Sequence, residues 1–160
     1  MTEIISPDNT ELLSCILMDV KNRSYIDVVR DVQQQLSSSP DQIEVPIQHH
    51  FAPGVYMRQM DAAAGTLVVS KMHRTEHMNI LLKGSLTVDT ENGIEYLKAP
   101  AVIKSMPGTK RIGYFHEDSS WITVHPTEET DLEKIEQQVS VNPFLDLMKQ
   151  ATAQDEPESH

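Results

Sequence analysis

The sequence predicts a mainly β protein, an antiparallel sandwich or barrel with helices at both ends. Three observations carry that expectation. Apolar residues recur at helical spacing up to about Leu36, then switch to strict alternation from Ile43. Roughly nine short alternating runs follow at regular spacing, separated by turn residues, as in all-β domains. Helical spacing returns after Thr130.

Each element has its own signal. Residues 1–9 carry no periodic pattern and read as frayed. Leu12, Leu13, Ile16, Leu17 and Val20 form one helical stripe, and Ile26, Val28, Val29 and Val32 a second. Ser37-Ser38-Ser39-Pro40 ends that region. Alternating runs follow at Ile43–Ile47, Val55–Met60, Thr66–Met72, Met78–Leu82 and Ser85–Thr90, with Phe51-Ala52-Pro53-Gly54 as a break. Glu91-Asn92-Gly93 is a tight-turn signal. Further runs are Ile94–Lys98, Ala101–Ser105, Arg111–Phe115 and Trp121–His125. Thr130 to Glu133 has capping-box spacing ahead of Leu132, Ile135 and Val139. Asn142-Pro143 suits the start of a last helix. The expected organisation is a helical extension over 1–40, a β-barrel over 41–127, helices over 128–152 and a disordered tail over 153–160.

Bulk properties narrow the function. A chain of 160 residues can bury a self-sufficient core as one domain. Its one cysteine, Cys15, cannot form an intrachain disulfide and fits a helical apolar stripe as a small buried hydrophobe. The net charge of −11 argues against a nucleic-acid partner, since phosphate neutralisation needs clustered cations. From Glu128 onward nine acids and two bases give −7, which leaves −4 for the first 127 residues. The body can therefore hold a local basic pocket. No basic leader and no long apolar run is visible, so no membrane partner and a cytoplasmic setting are expected.

The polar residues that matter cluster in the middle. Gly65 and Gly84 bracket a run containing Lys71, His73, Glu76 and His77. Met106-Pro107-Gly108-Thr109-Lys110-Arg111 follows. On these motifs the chain resembles the cupin superfamily over about residues 45–126. Lys71 stands at the first histidine position of the first cupin motif, His73 at the second and His77 at the glutamate position. Arg111 takes the histidine position of the second motif. The chain resembles most a group of cupin-like proteins from tailed bacteriophages. That likeness lies in His50-Phe-Ala-Pro-Gly54 with Tyr56 and Arg58, His73 to Leu81, Pro107 to Arg111, and Trp121 to Thr127. It implies a cupin-type antiparallel jelly-roll barrel, a phage or prophage origin and a homodimer or higher homo-oligomer.

Residue chemistry leaves three functions open. In a strand Lys71 and His73 would share a face, and a short turn would return His77 beside them. Neutral imidazoles bind Zn, Fe, Mn or Ni. With His125 as a third nitrogen, and Glu76 or Tyr56 as an oxygen ligand, the set resembles a catalytic site with an open position. A divalent-metal-dependent enzyme acting on a small anionic molecule is the first reading, with Glu76, Tyr56 and Arg111 as catalytic candidates. The second is a metal-free, nucleotide-type binding or sequestering protein. There Arg58, Lys71 and Arg111 clamp an anion, Asn79 lines the pocket, and Tyr56 or Trp121 stacks on a ring. Arg111 could instead bridge to Glu76 or Glu117, and Trp121 could be core. His49, His50 and His116 are expected at turns or on the surface. The third reading is a structural or assembly protein whose interior is packed shut.

Overall fold

The computed structural model describes residues 3–5, 31, 34, 35, 43–90 and 93–140. Asp31, Gln34 and Gln35 are helical. The rest of the expected N-terminal helices, Cys15, the helix expected after Asn142-Pro143 and the tail lie outside the described residues.

Two five-stranded antiparallel sheets form the body. In chain order the strands are β1 (Glu3–Ile5), β2 (Ile47–Ala52), β3 (Val55–Ala62), β4 (Leu67–Val69), β5 (His77–Lys83) and β6 (Ser85–Thr90). Then follow β7 (Gly93–Lys98), β8 (Ala101–Ser105), β9 (Ile112–Phe115), β10 (Ser119–Pro126) and a helix, α1 (Leu132–Val139). One sheet has the order β1-β4-β9-β6-β7 and the other β2-β3-β10-β5-β8. Without β1 and β2, the eight remaining strands form two facing four-stranded sheets, each alternating early and late strands. That is the jelly-roll order, and it is the expected fold class.

Local chemistry explains the connections. The β5–β6 junction is possible because residue 84 is glycine. Its φ is +90°, and a Cβ there would lie 1.9 Å from the Ser119 Oγ. Gly65, at φ +84°, turns the chain into β4 while its N–H donates to the Phe115 carbonyl at 2.7 Å. Thr90 pairs with Gly93, so β6 and β7 form a hairpin where Glu91-Asn92-Gly93 signals a turn.

Four local expectations change. The alternating run at Ile43–Ile47 is not a strand before Ile47, where β2 begins. Residues 3–5 are not frayed; they pair with β4 from Glu3↔Val69 to Ile5↔Leu67 and cover what would be an open sheet edge. The Thr66–Met72 run stops as a strand at Val69, and residues 70–76 cross irregularly to β5. The helix cap is Asp131 rather than Thr130, because its carboxylate accepts from the Glu133 and Lys134 amides.

The core lies between the sheets. Met60, Ala62, Val68, Leu81, Leu86, Val88 and Phe115 form its main cluster, with Trp121 packed against it. A second cluster joins Tyr56 of β3 to Ile135 and Val139 of α1. The helix thus closes one end of the barrel through its apolar face.

Candidate functional site

A cavity of about 320 Å³ lies between the sheets, with α1 contributing to its wall. Register orders its wall on the β2-β3-β10-β5-β8 sheet. Met60 pairs with Trp121, and Trp121 with Leu81, which makes an apolar rung. Two residues along, His49, Arg58, Thr123 and Asn79 form a polar rung. Two further along, Tyr56 pairs with His125, and the Val124↔Met78 pair brings His77 alongside. Alternation aims each rung to the same face. One sheet therefore grades from aliphatic to imidazole over five residues of β10.

Three imidazoles converge at the polar end. His73 and His77 have ring centroids 4.4 Å apart, His77 and His125 4.7 Å, and His73 and His125 6.1 Å. His77 and His125 are 3% exposed. His73 reaches the cluster from the irregular crossing. Its amide donates to the Thr109 carbonyl, its carbonyl accepts from Gly108, and it bridges to Ser140 after α1. The expected strand at Lys71–His73 is absent, yet both residues line the cavity.

Among the described residues each imidazole has a buried ring nitrogen with no hydrogen-bond partner: Nδ1 of His73, Nε2 of His77 and Nδ1 of His125. Such groups are rare in folded proteins and ask for an explanation. His77 Nδ1 lies 3.1 Å from the Thr75 carbonyl, which can only accept. The proton is therefore on Nδ1, and Nε2 presents a lone pair. Burial, then the His77 and His125 rings, push His73 from the usual histidine value down to about 3. Burial, then His77 and Arg58, push His125 down to about 4. Burial also lowers His77, against the Thr75 carbonyl. All three rings are neutral at pH 7, the form that binds metal.

The cations separate into two groups. Lys71, expected to clamp an anion, is bound to Glu136 of α1 at 2.7 Å. Arg111 donates through Nε and Nη2 to the Ser105 Oγ at 3.2 and 3.1 Å, and also to the Asp89 and Lys104 carbonyls. It bridges neither Glu76 nor Glu117. Asn79 donates to the same Ser105 oxygen at 2.7 Å. These two residues brace the wall. Arg58 lines the cavity and, among the described residues, has no hydrogen bond or ion pair.

Other candidates also change place. Glu76 is no catalytic or ligand residue here: it is exposed and holds Lys104 at 2.6 Å on the outer face. Residue 76 precedes the inward-facing His77, and alternation sends it outward. Tyr56 is buried and lines the cavity, its hydroxyl 2.7 Å from His49 Nδ1. Burial raises its phenol above the usual tyrosine value. His49 is exposed, as expected, but it lies on β2 opposite Arg58 rather than in a turn, and contributes to the wall. His116 is exposed beside Thr87 Oγ1, as expected. Tyr114 is buried away from the cavity wall, and Trp121 both packs on the core and lines the cavity. Glu136 and Ser105 were missed. Counting back from the Pro53-Gly54 turn would have found His49 opposite Arg58; nothing in the sequence ties Glu136 to Lys71.

The donor set fits a divalent metal by its chemistry: three neutral, buried, unpartnered nitrogens, one with its tautomer set by a carbonyl. Among the described residues no group of three or more His, Cys, Asp or Glu side chains is arranged to hold a metal ion as it stands. Coordination would require the rings to turn.

Fold and cavity together define a jelly-roll protein with an internal site of small-molecule size. No protein-family model and no curated protein matches the chain. Several solved structures are similar. One is an acetylacetone dioxygenase from Acinetobacter johnsonii, at 17% identity and TM-score 0.45; the match covers 51% of this chain and 59% of that one. Another is KdgF from Halomonas sp., at 14% identity and TM-score 0.47, covering 59% and 86%. A third is a cupin_2 domain of an XRE family transcriptional regulator from Enterobacter cloacae, at 11% identity and TM-score 0.45, covering 52% and 98%. The chain thus spans about three fifths of the length of the dioxygenase. Among the described residues no helix is long and apolar enough to cross a membrane.

Proposed function

We propose that the cavity is the site of a divalent-metal-dependent enzyme acting on a small anionic molecule, with His73, His77 and His125 as metal ligands. The observation that carries this reading is the trio of imidazoles, each with a buried nitrogen that meets no partner among the described residues. A bound divalent ion would supply Lewis acidity, polarising a substrate oxygen or lowering the pKa of water. The protein's own residues do the rest. Arg58 attracts the anion, Thr123 offers a hydroxyl, and the Tyr56 phenol stays protonated as a hydrogen-bond donor. Ile135 and Val139 of α1 shield that end from water.

The test is metal content. Protein purified from metal-supplemented growth should hold about one divalent ion per chain, and His73→Ala should lose it. Metal-free protein from such growth would remove the reading.

A second reading is a metal-free binding or sequestering protein for a nucleotide-type ligand. The unconverged nitrogens, and an Arg58 without a partner among the described residues, favour it. Thermal-shift titration with mono-, di- and cyclic nucleotides separates the two; a flat response counts against this one. The structural reading asked for an interior packed shut, and the cavity speaks against it. Action in the cytoplasm of a phage-infected host, as a homo-oligomer, belongs to the same proposal. The phage setting rests on residue likeness. The oligomer is supported by Leu82 and Val102, 57% and 61% exposed on the outer face of paired strands.

A further inference from the structure

The cavity's polarity is sorted along its length, and that sorting restricts what can fill it. At one end the Met60–Trp121 rung faces Val68, Leu86 and Phe115 of the other sheet. At the other end are the imidazoles and Tyr56. Arg58 sits on the rung between them, two residues from Met60 on one side and from Tyr56 on the other.

Charge sharpens the restriction. Three cations line the cavity: Arg58, Lys71 and Arg111. Glu136 answers Lys71, and Ser105 with two carbonyls occupies Arg111. Arg58 alone of the three keeps its guanidinium unsatisfied among the described residues. A guanidinium lining a cavity without a partner is costly to desolvate and favours a planar anion presented to its fork. One such group suits one anionic head. A polyphosphate would bring more charge than the free cation can answer and would have to lay polar atoms against the Trp121 rung.

The geometry points to an amphipathic monocarboxylate as the ligand class: one carboxylate on Arg58, with an apolar chain or ring against Trp121, Met60 and Phe115. This deepens the small-anion reading of the cavity and rests on it. It also assigns Arg58 and Trp121 as the residues that set specificity, one for charge and one for the apolar body.

Trp121 is the sole tryptophan of the chain, so its fluorescence reports on the cavity directly. Three probes of stated chemistry serve: octanoate, 1-octanol and acetate. Octanoate should shift the Trp121 emission and saturate, while acetate, with the head but no tail, and octanol, with the tail but no head, should each bind at least about tenfold more weakly. Arg58→Gln should weaken octanoate by at least about tenfold and leave octanol unchanged, and Arg58→Lys should restore part of the loss. Far-ultraviolet circular dichroism of each variant shows whether it is folded; if Arg58→Gln is not, the Lys variant and the probe ranking decide alone.

Octanol binding as tightly as octanoate would overturn the assignment. So would a flat Trp121 signal with all three probes, or octanoate binding that ignores Arg58 and vanishes when the protein is treated with chelator. Metal content measured on the same samples keeps the two proposals apart. Protein that takes up no metal yet binds octanoate through Arg58 sinks the metal reading and leaves this one. Metal-loaded protein with a flat signal does the reverse.

Discussion

The two ends of the cavity are built on the same strands and do opposite things for the fold. At the apolar end Leu81 and Leu86 are 0% and 2% exposed, in contact with both sheets. Burial there stabilises. At the imidazole end three rings each carry a buried nitrogen unanswered among the described residues. Burial there costs free energy unless a ligand or water answers those atoms. β10 carries both ends within five residues, from Trp121 to His125. The contrast teaches that stability and function are separated along the strand rather than between domains. A structural protein would have little reason to keep the costly end.

The largest expected effect lies at the stabilising end. Leu81→Ala or Leu86→Ala should lower unfolding free energy by about 2–5 kcal/mol in urea titrations, through lost transfer energy and a residual cavity. A loss under about 1 kcal/mol would mean that this end is not the core.

Gly84→Ala comes next. It combines a strained φ of +90° with a Cβ placed 1.9 Å from Ser119 Oγ. The expected loss exceeds about 1 kcal/mol, since neither the backbone nor Ser119 can give way cheaply. A neutral thermal melt would contradict the close approach of the β5–β6 junction to Ser119.

Acidification probes the costly end. His125 and His73 are depressed in the folded state to about 4 and about 3, from an ordinary value near 6.5. Between those limits the unfolded chain binds protons that the folded chain refuses. Stability from these rings is therefore full above about pH 6.5 and falls as pH drops below it, levelling off near 4 for His125 and near 3 for His73. Urea midpoints of metal-free protein at pH 7.5, 5.5 and 4.5 should fall in that order. His125→Phe should flatten the slope, and should be neutral or slightly stabilising at pH 7.5 because it deletes an unanswered nitrogen. An unchanged slope in the variant would place the titration elsewhere.

The smallest effect is expected at the link between α1 and the crossing segment. Lys71 and Glu136 have side chains 30% and 39% exposed, and such a pair contributes about 0–1 kcal/mol. Lys71→Met should cost no more than that in urea, and the cost should shrink further in high salt.

Much of the fold was legible because its signals are local. Alternation marks β3, β5, β6 and β10, glycines with positive φ mark their turns, and the Asn92-Gly93 signal falls at an actual hairpin. The strand at Lys71–His73 was misjudged because His73 is held by contacts distant in sequence, with Thr109 and Ser140. The site was legible in membership more than in roles. His77 and His125 follow inward alternation, His73 joins them from the irregular crossing, and the three rings meet. Lys71 and Arg111 also turn inward, but their partners, Glu136 and Ser105, come from elements whose docking no spacing reveals. Glu76 was misread because a carboxylate beside a histidine looks like a ligand until the register sends it outward to Lys104.

X-ray absorption at the metal edge of manganese- or zinc-loaded protein tests the central claim most directly. The account predicts a first shell containing three imidazole nitrogens at about 2.0–2.2 Å, falling to two in His125→Phe. A shell of oxygens alone, or a spectrum indifferent to that substitution, would contradict it.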